Sequence, residues 1–161
     1  MIRVGIITAS DKGSRGERED LSQQAIRDEV ASIGAEVVAY ELVPDEKDIL
    51  VQKLKEMCSQ ADLIFTTGGT GLGPRDVTPE ATREVMEKEV PGISEAMRWA
   101  SLQKTPRAML SRAMAVTRGQ TLIINLPGSP KAVRECLQAI LPALPHGIEI
   151  LKGETGECAR P

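Results

Sequence analysis

Two aspartates stand where their chemistry would be costly unless it were used. Asp76 follows the segment Thr66-Thr67-Gly68-Gly69-Thr70-Gly71-Leu72-Gly73-Pro74-Arg75, and Asp45 follows a strand-like run directly after Pro44. The glycines suit a backbone that turns tightly or lets a ligand approach, and the hydroxyls and N–H groups suit phosphate oxygens. A carboxylate beside a phosphate is repulsive unless a cation bridges them. Hard oxygen ligands of this kind suit Mg²⁺, which takes one or two carboxylates together with substrate phosphates. Phosphoryl or nucleotidyl transfer there needs no histidine, because the attacking phosphate is already anionic and catalysis is mostly positioning and charge neutralisation. The chain has one histidine, His146.

Two helix starts share one design, a hydroxyl followed by proline, at Thr78-Pro79 and Ser129-Pro130, each close behind a glycine-bearing turn. A hydroxyl N-cap with proline at the first helical position is expected at both, and such N-termini attract anions. Arg75, Arg112 and Lys131 stand close by in sequence and could add full charges. The glycine segment is not a Walker loop, because Pro74 stands where the lysine is needed, and it is not a dinucleotide fingerprint, because Pro74 also takes the last glycine position. Plainer readings stay open: glycines that only allow tight strand-to-helix packing, Asp45 as an N-cap, Asp76 in an Asx-type turn, Thr78 and Ser129 as caps alone.

The elements that would position these residues follow from periodicity. Ile2 to Thr8 reads as a buried strand opening into the loop Ser10 to Gly16. Asp20 with Gln23 resembles a capping box, and a helix runs on to Gly34. Glu36 to Val43 is a second strand, a helix opens at Pro44-Asp45-Glu46, and Asp62 to Thr67 is a third strand. Helices are expected from Thr78-Pro79, over Ser94 to Leu102, and from Ser129-Pro130. Ala113 to Arg118 and Thr121 to Asn125, split by Gly119-Gln120, read as a hairpin that puts one antiparallel strand into the sheet. The run Arg83 to Glu89 reads as a solvated helix face. Strands alternating with helices predict an α/β fold with helices on both faces of a mostly parallel sheet, whose carboxyl-end loops meet in one crevice. One domain is expected over residues 1–152, followed by a mobile tail over 153–161.

Composition narrows the partners. In 161 residues there are one Trp, one Tyr and one Phe, too few for base-stacking platforms, and a net charge of −3 removes the general attraction to nucleic acid. A small, locally held metabolite is the expected ligand. No stretch has the length of a membrane span and no leader-like segment opens the chain, so a reducing cytoplasm is expected. Cys58, Cys136 and Cys158 are odd in number and far apart, and read as small hydrophobes, with Cys158 in the tail. Met97, Met109 and Met114 read as core filler, Trp99 as helix packing or a subunit contact, and His146 as a surface or capping residue.

Five segments together resemble the MogA/MoaB family of molybdopterin-binding proteins, which includes the gephyrin G domain: GIITASD over 5–11, VPDE over 43–46, TTGGTGLGPRDVTPEAT over 66–82, MLSRA over 109–113 and LIINLPGSPKAV over 122–133. The resemblance implies a three-layer α/β/α molybdopterin-binding-protein fold. It also implies adenylyl transfer, in which the terminal phosphate of molybdopterin attacks the α-phosphate of Mg-ATP and releases pyrophosphate. Asp45 and Asp76 match the family's critical aspartates, with metal and transition-state roles. Ser10, Asp11, Ser14, Gly16 and Asp20 would serve the nucleotide. Gly69, Thr70, Gly71, Ser111, Pro127, Gly128, Ser129 and Lys131 would serve the pterin and its phosphate. The family further implies a homotrimer and handover to a molybdenum-insertion protein. The alternative is a carrier that binds molybdopterin without chemistry.

Overall fold

A computed structural model describes residues 1–154. Six strands form one sheet in the order β2-β1-β3-β6-β5-β4: β1 (Arg3–Ala9), β2 (Glu36–Val43), β3 (Leu63–Thr67), β4 (Lys88–Glu89), β5 (Ala115–Arg118) and β6 (Thr121–Leu126). β2, β1, β3 and β6 are parallel, and β5 alone runs against its neighbours, through the expected turn at Gly119-Gln120.

Two apolar clusters occupy the two faces, because successive strand residues point to opposite sides. Val4 and Ile6 of β1 join Leu63 and Phe65 of β3 under α2 (Leu21–Val30), α5 (Pro91–Leu102), α6 (Pro130–Ile140) and α7 (Leu144–Lys152). Ile7 of β1 and Ile64 of β3 pack on the other side against α3 (Lys47–Met57) and α4 (Thr78–Val85). The result is the three-layer α/β/α sandwich that the alternation predicts. Buried Met97, Met114 and Cys136 fill this core, whereas Met109 is 64% exposed, at odds with its reading as filler. It sits on a short 3₁₀ turn, Pro106–Leu110, outside the period of any amphipathic helix.

Three expectations need revision. The loop Ser10 to Gly16 contains a helical turn, α1 (Asp11–Ser14), because the Ser10 hydroxyl accepts the Gly13 N–H at 2.9 Å and closes the turn locally. The run Arg83 to Glu89 is helical only to Val85. At Met86 the backbone becomes extended, and the Glu87 and Val90 N–H groups bond Thr117 O and Ala115 O at the sheet edge. Lys88 and Glu89 form a two-residue charged edge strand, which discourages further strand addition. The helix expected from Ser94 begins earlier, at Pro91. His146 is exposed on α7, with Nδ1 3.8 Å from Glu149. Of the expected tail, Gly153 closes α7 and Glu154 N–H bonds Glu149 O, while residues 155–161, Cys158 among them, lie outside the described residues.

Candidate functional site

The parallel strands β1, β2, β3 and β6 send their following loops to one edge of the sheet. From β1 the chain moves to one side to form β2 and then crosses to the other to form β3, so the strand order reverses between β1 and β3. Ligands of open α/β sheets bind at such a point. A cleft of about 560 Å³ lies there, lined by Thr8, Ser10, Asp20, Asp45, Gly69, Asp76, Gly128 and Ser129 among others.

The glycine segment makes the cleft floor. Gly68 and Gly69 have φ of 91° and 70°, and a Cβ on Gly69 would come 2.3 Å from Thr78 Oγ1. Only glycine takes both the conformation and the approach. The Thr78 hydroxyl donates to Gly68 O at 3.0 Å and its N–H to Gly69 O at 3.1 Å. Thr78 is therefore a fully buried loop anchor and not the expected N-cap, a position held by Val77 without a side-chain bond. Ser129 does cap its helix, accepting the Ala132 N–H at 3.2 Å. Thr67 Oγ1 donates to Pro127 O at 2.6 Å, joining the two glycine-bearing turns.

The carboxylates are arranged in pairs with backbone. The Asp11 N–H donates to Asp45 Oδ2 and the Asp45 N–H to Asp11 Oδ1, each at 3.0 Å. Asp45 is not an N-cap; Glu46 holds that position on α3. Arg75 clasps both oxygens of Asp11 at 3.1 Å and reaches Glu46 at 3.0 Å, and these bonds pull the Asp11 carboxyl below the usual carboxylate range. Asp45 moves the other way: burial raises it most, and the charges of Asp11 and Asp76 add to this. Asp76 Oδ2 accepts the Gly73 N–H at 2.8 Å, closing the expected Asx-type turn. The second oxygen of each, Asp45 Oδ1 and Asp76 Oδ1, receives no hydrogen bond among the described residues.

Two free oxygens, one on half-buried Asp45 and one on Asp76, whose charge is felt at Asp45, form a hard donor set with no cation bonded to it. They fit a divalent cation whose other ligands come from phosphate, and no group of three or more His, Cys, Asp or Glu that would form a protein-only cage occurs among the described residues.

Not every residue singled out in the sequence faces this cleft. Ser14 and Gly16 are exposed in the α1 turn and Lys131 is exposed on α6, none of them lining it. Asp20 lines it, but its carboxylate already accepts from Thr8 Oγ1 and Tyr40 OH, both at 2.6 Å, and from Gln23 N–H at 3.1 Å as the cap of α2. Burial and this carboxylate together raise the Tyr40 hydroxyl well above its ordinary pKa. Thr70, Gly71, Ser111 and Pro127 line a second hollow of about 290 Å³ between α5, α6 and the 3₁₀ turn. The ridge between cleft and hollow is the glycine segment together with the turn over 127–130: Gly69 and Gly128 face one side, Gly71 and Pro127 the other.

Arg112, marked in the sequence only as a nearby charge, holds that ridge in shape. Nε donates to Gly71 O at 2.8 Å, Nη2 to Asp76 O at 2.7 Å and Nη1 to Glu80, while its N–H bonds Thr70 O at 2.9 Å. The second hollow's residues on α5 and α6 escaped sequence reasoning, and Thr67 entered it only among the hydroxyls of the glycine segment. Its signal was a hydroxyl at the last strand position before a double glycine, and the structure gives that hydroxyl to Pro127 O.

Known proteins share both the sequence and the architecture that build this geometry. The family model described as "Probable molybdopterin binding domain" matches residues 5–146. The molybdopterin adenylyltransferase of Helicobacter pylori (strain J99) is 46% identical over 156 residues, covering 94% of this chain and 89% of that protein. The crystal structure of the molybdopterin biosynthesis enzyme MoaB from Thermus thermophilus is 56% identical with a TM-score of 0.90, covering 95% of this chain and 98% of that one. The tungsten cofactor synthesizing protein MoaB from Pyrococcus furiosus is 36% identical with a TM-score of 0.84, covering 94% and 97%. Sequence match and shared architecture agree that the chain belongs to the MogA/MoaB family of molybdopterin-binding domains.

Proposed function

We propose that this protein is a molybdopterin adenylyltransferase, which joins the terminal phosphate of molybdopterin to the α-phosphate of ATP and releases pyrophosphate. The observation that carries this reading is the ridge. Two cavities of different character share one wall, built from two phosphate-suited turns, and Asp45 and Asp76 stand on its cleft side. Two substrates bound on either side would bring their phosphates together there, which is what a transfer between them requires.

The nucleotide belongs in the cleft against Ser10, and the turn that carries Asp11, Ser14 and Gly16 continues outward from that wall. The Asp20 carboxylate, filled by its own partners, supports the wall of the cleft. The pterin side takes Thr70, Gly71, Ser111 and Pro127, with Gly69, Gly128, the Ser129 cap and Lys131 at the phosphate. Asp45 and Asp76 would hold Mg²⁺ through their free oxygens, and the ion would neutralise charge on the transferring phosphoryl group. Arg75 keeps Asp11 ionised and occupied, so it turns a backbone N–H to Asp45. Residues 1–152 act as the working domain, in the cytoplasm and as a homotrimer, and the adenylylated product passes to a molybdenum-insertion protein.

The test is pyrophosphate release from ATP and Mg²⁺, with and without molybdopterin, for the protein and its Asp76→Asn variant. Release that needs both the pterin and Asp76 is expected. Tight pterin binding without release would make the protein a carrier.

A further inference from the structure

Resting on the reading that seats molybdopterin in the second hollow, we propose that Glu135 and Ser94 select its pterin ring by the 2-amino-4-oxo edge. Neither residue belongs to the phosphate-bearing turns. They come from α6 and α5, which pack side by side and meet across the hollow.

The hollow is mostly apolar, walled by Met97, Leu110 and Ala113, as a flat conjugated ring requires. Polar side chains, Arg98, Ser101 and Ser111 among them, also reach that lining, and Ser94 and Glu135 differ from these three in having no hydrogen-bond partner for the side chain among the described residues. Ser94 is 3% exposed, and its Oγ has no hydrogen-bond partner, the only such buried side-chain atom among the described residues. A hydroxyl left in this state costs stability, so it calls for a reason, and a ligand that bonds it supplies one. Glu135 is half-buried on the facing wall and makes no hydrogen bond or ion pair among the described residues. Two cations line the hollow, and neither pairs with Glu135: Arg98 is turned to the backbone, donating to Ser111 O at 3.3 Å and Ala113 O at 3.0 Å, and Arg107 makes no ion pair with it among the described residues.

An unpaired carboxylate at the wall of a mostly apolar hollow can accept two parallel N–H bonds. A pterin offers two donors side by side, N3–H and the 2-amino group. Adenine does not, since its edges set a donor beside an acceptor. Glu135 therefore admits the pterin and turns away the base of the second substrate, which keeps the two molecules on their own sides of the ridge. Ser94 Oγ, able both to donate and to accept, bonds the ring at depth.

The experiment measures equilibrium binding of molybdopterin and, separately, of ATP to the protein and to its Glu135→Gln and Ser94→Ala variants, with pterin and lumazine, its 2-oxo counterpart, as competitors. Glu135→Gln presents an N–H where an acceptor is needed, so molybdopterin affinity is expected to fall about tenfold or more. ATP affinity stays unchanged, and pterin loses its advantage over lumazine. Ser94→Ala weakens molybdopterin binding while leaving the Tm of the free protein equal or higher, because it deletes an unpaired group. Unchanged molybdopterin affinity in Glu135→Gln, or an equal loss of ATP affinity, overturns the subsite. A lowered Tm in Ser94→Ala overturns the part given to Ser94. If the protein itself fails to bind molybdopterin, the subsite and the functional reading both fall. Glu135-dependent binding without pyrophosphate release leaves the subsite standing and overturns only the transfer.

Discussion

The charged side chains around the cleft are paired so that two carboxylates, Asp45 and Asp76, are left without a cation bonded to them. Arg75 is spent on Asp11 and Glu46, and Arg112 on Glu80 and loop carbonyls, so neither forms an ion pair with the carboxylate of Asp45 or Asp76 among the described residues. That leftover charge is what a cation and a polyphosphate would share. Arg112 acts as a positioning residue, because its bonds to Gly71 O and Asp76 O hold the ridge, and its role is separable from binding. Arg112→Met should keep the fold and lower kcat for pyrophosphate release by about tenfold to a hundredfold, with a smaller change in the KM for ATP. Steady-state kinetics of the two proteins would check this, and an unchanged kcat would leave Arg112 a surface ion pair.

At the scale of elements, one buried polar residue joins the sheet to the site. Asn125 lies in the apolar run of β6, where an amide is out of place unless paired. Its Nδ2 donates to Thr66 Oγ1 and Thr82 Oγ1, both at 2.9 Å, and its Oδ1 accepts the Met114 N–H at 3.1 Å. Thr82 in turn donates to Thr78 O at 2.9 Å, and Thr78 anchors the glycine turn. Asn125→Leu leaves the Met114 N–H buried and unpaired and should cost about 1–3 kcal/mol in urea unfolding. Ser129→Ala removes one cap at the start of α6 and should cost roughly 1 kcal/mol by the same measurement, with weaker retention of molybdopterin if the exposed N-terminus holds its phosphate.

For the whole molecule, the end of the sheet opposite the cleft carries the main electrostatic tie. Asp62, 3% exposed, accepts from Arg3 N–H and Arg3 Nη2, both at 2.9 Å, and from Lys152 at 3.2 Å, so it joins β1, the start of β3 and the end of α7. Burial alone would raise this carboxyl, but the bonds from Arg3 and Lys152 outweigh it and hold the carboxyl down to about 2. A carboxyl depressed on folding contributes stability that is present above its unfolded pKa of about 4 and is lost as pH falls through its folded value. The Tm should therefore decline between about pH 4 and pH 2. Asp62→Asn should lose on the order of 2 kcal/mol at neutral pH and flatten the Tm profile in that window. A profile that keeps its slope in the variant would place the acid sensitivity elsewhere.

What the sequence determined by itself was everything written in local chemistry. Apolar runs with period two or near four mark strands and helices, Gly119-Gln120 turns the hairpin, Ser129 caps α6, and the glycine segment with Asp76 forms its loop, because backbone preference and burial act over a few residues. The local rules erred where a distant partner outvoted them: Thr78 was drawn from a cap into a buried bond with Gly68 O, and residues after Val85 were drawn from a helix face onto the edge of β5. Only the tertiary structure decided the strand order that brings Asp45 to Asp11, the division of the marked residues between two cavities, and the placing of Ser94 and Glu135 in the lining of one hollow. Those encounters depend on how α5 and α6 pack over the sheet, and packing is a property of surfaces brought together by the whole chain, with no period or spacing along it to announce them.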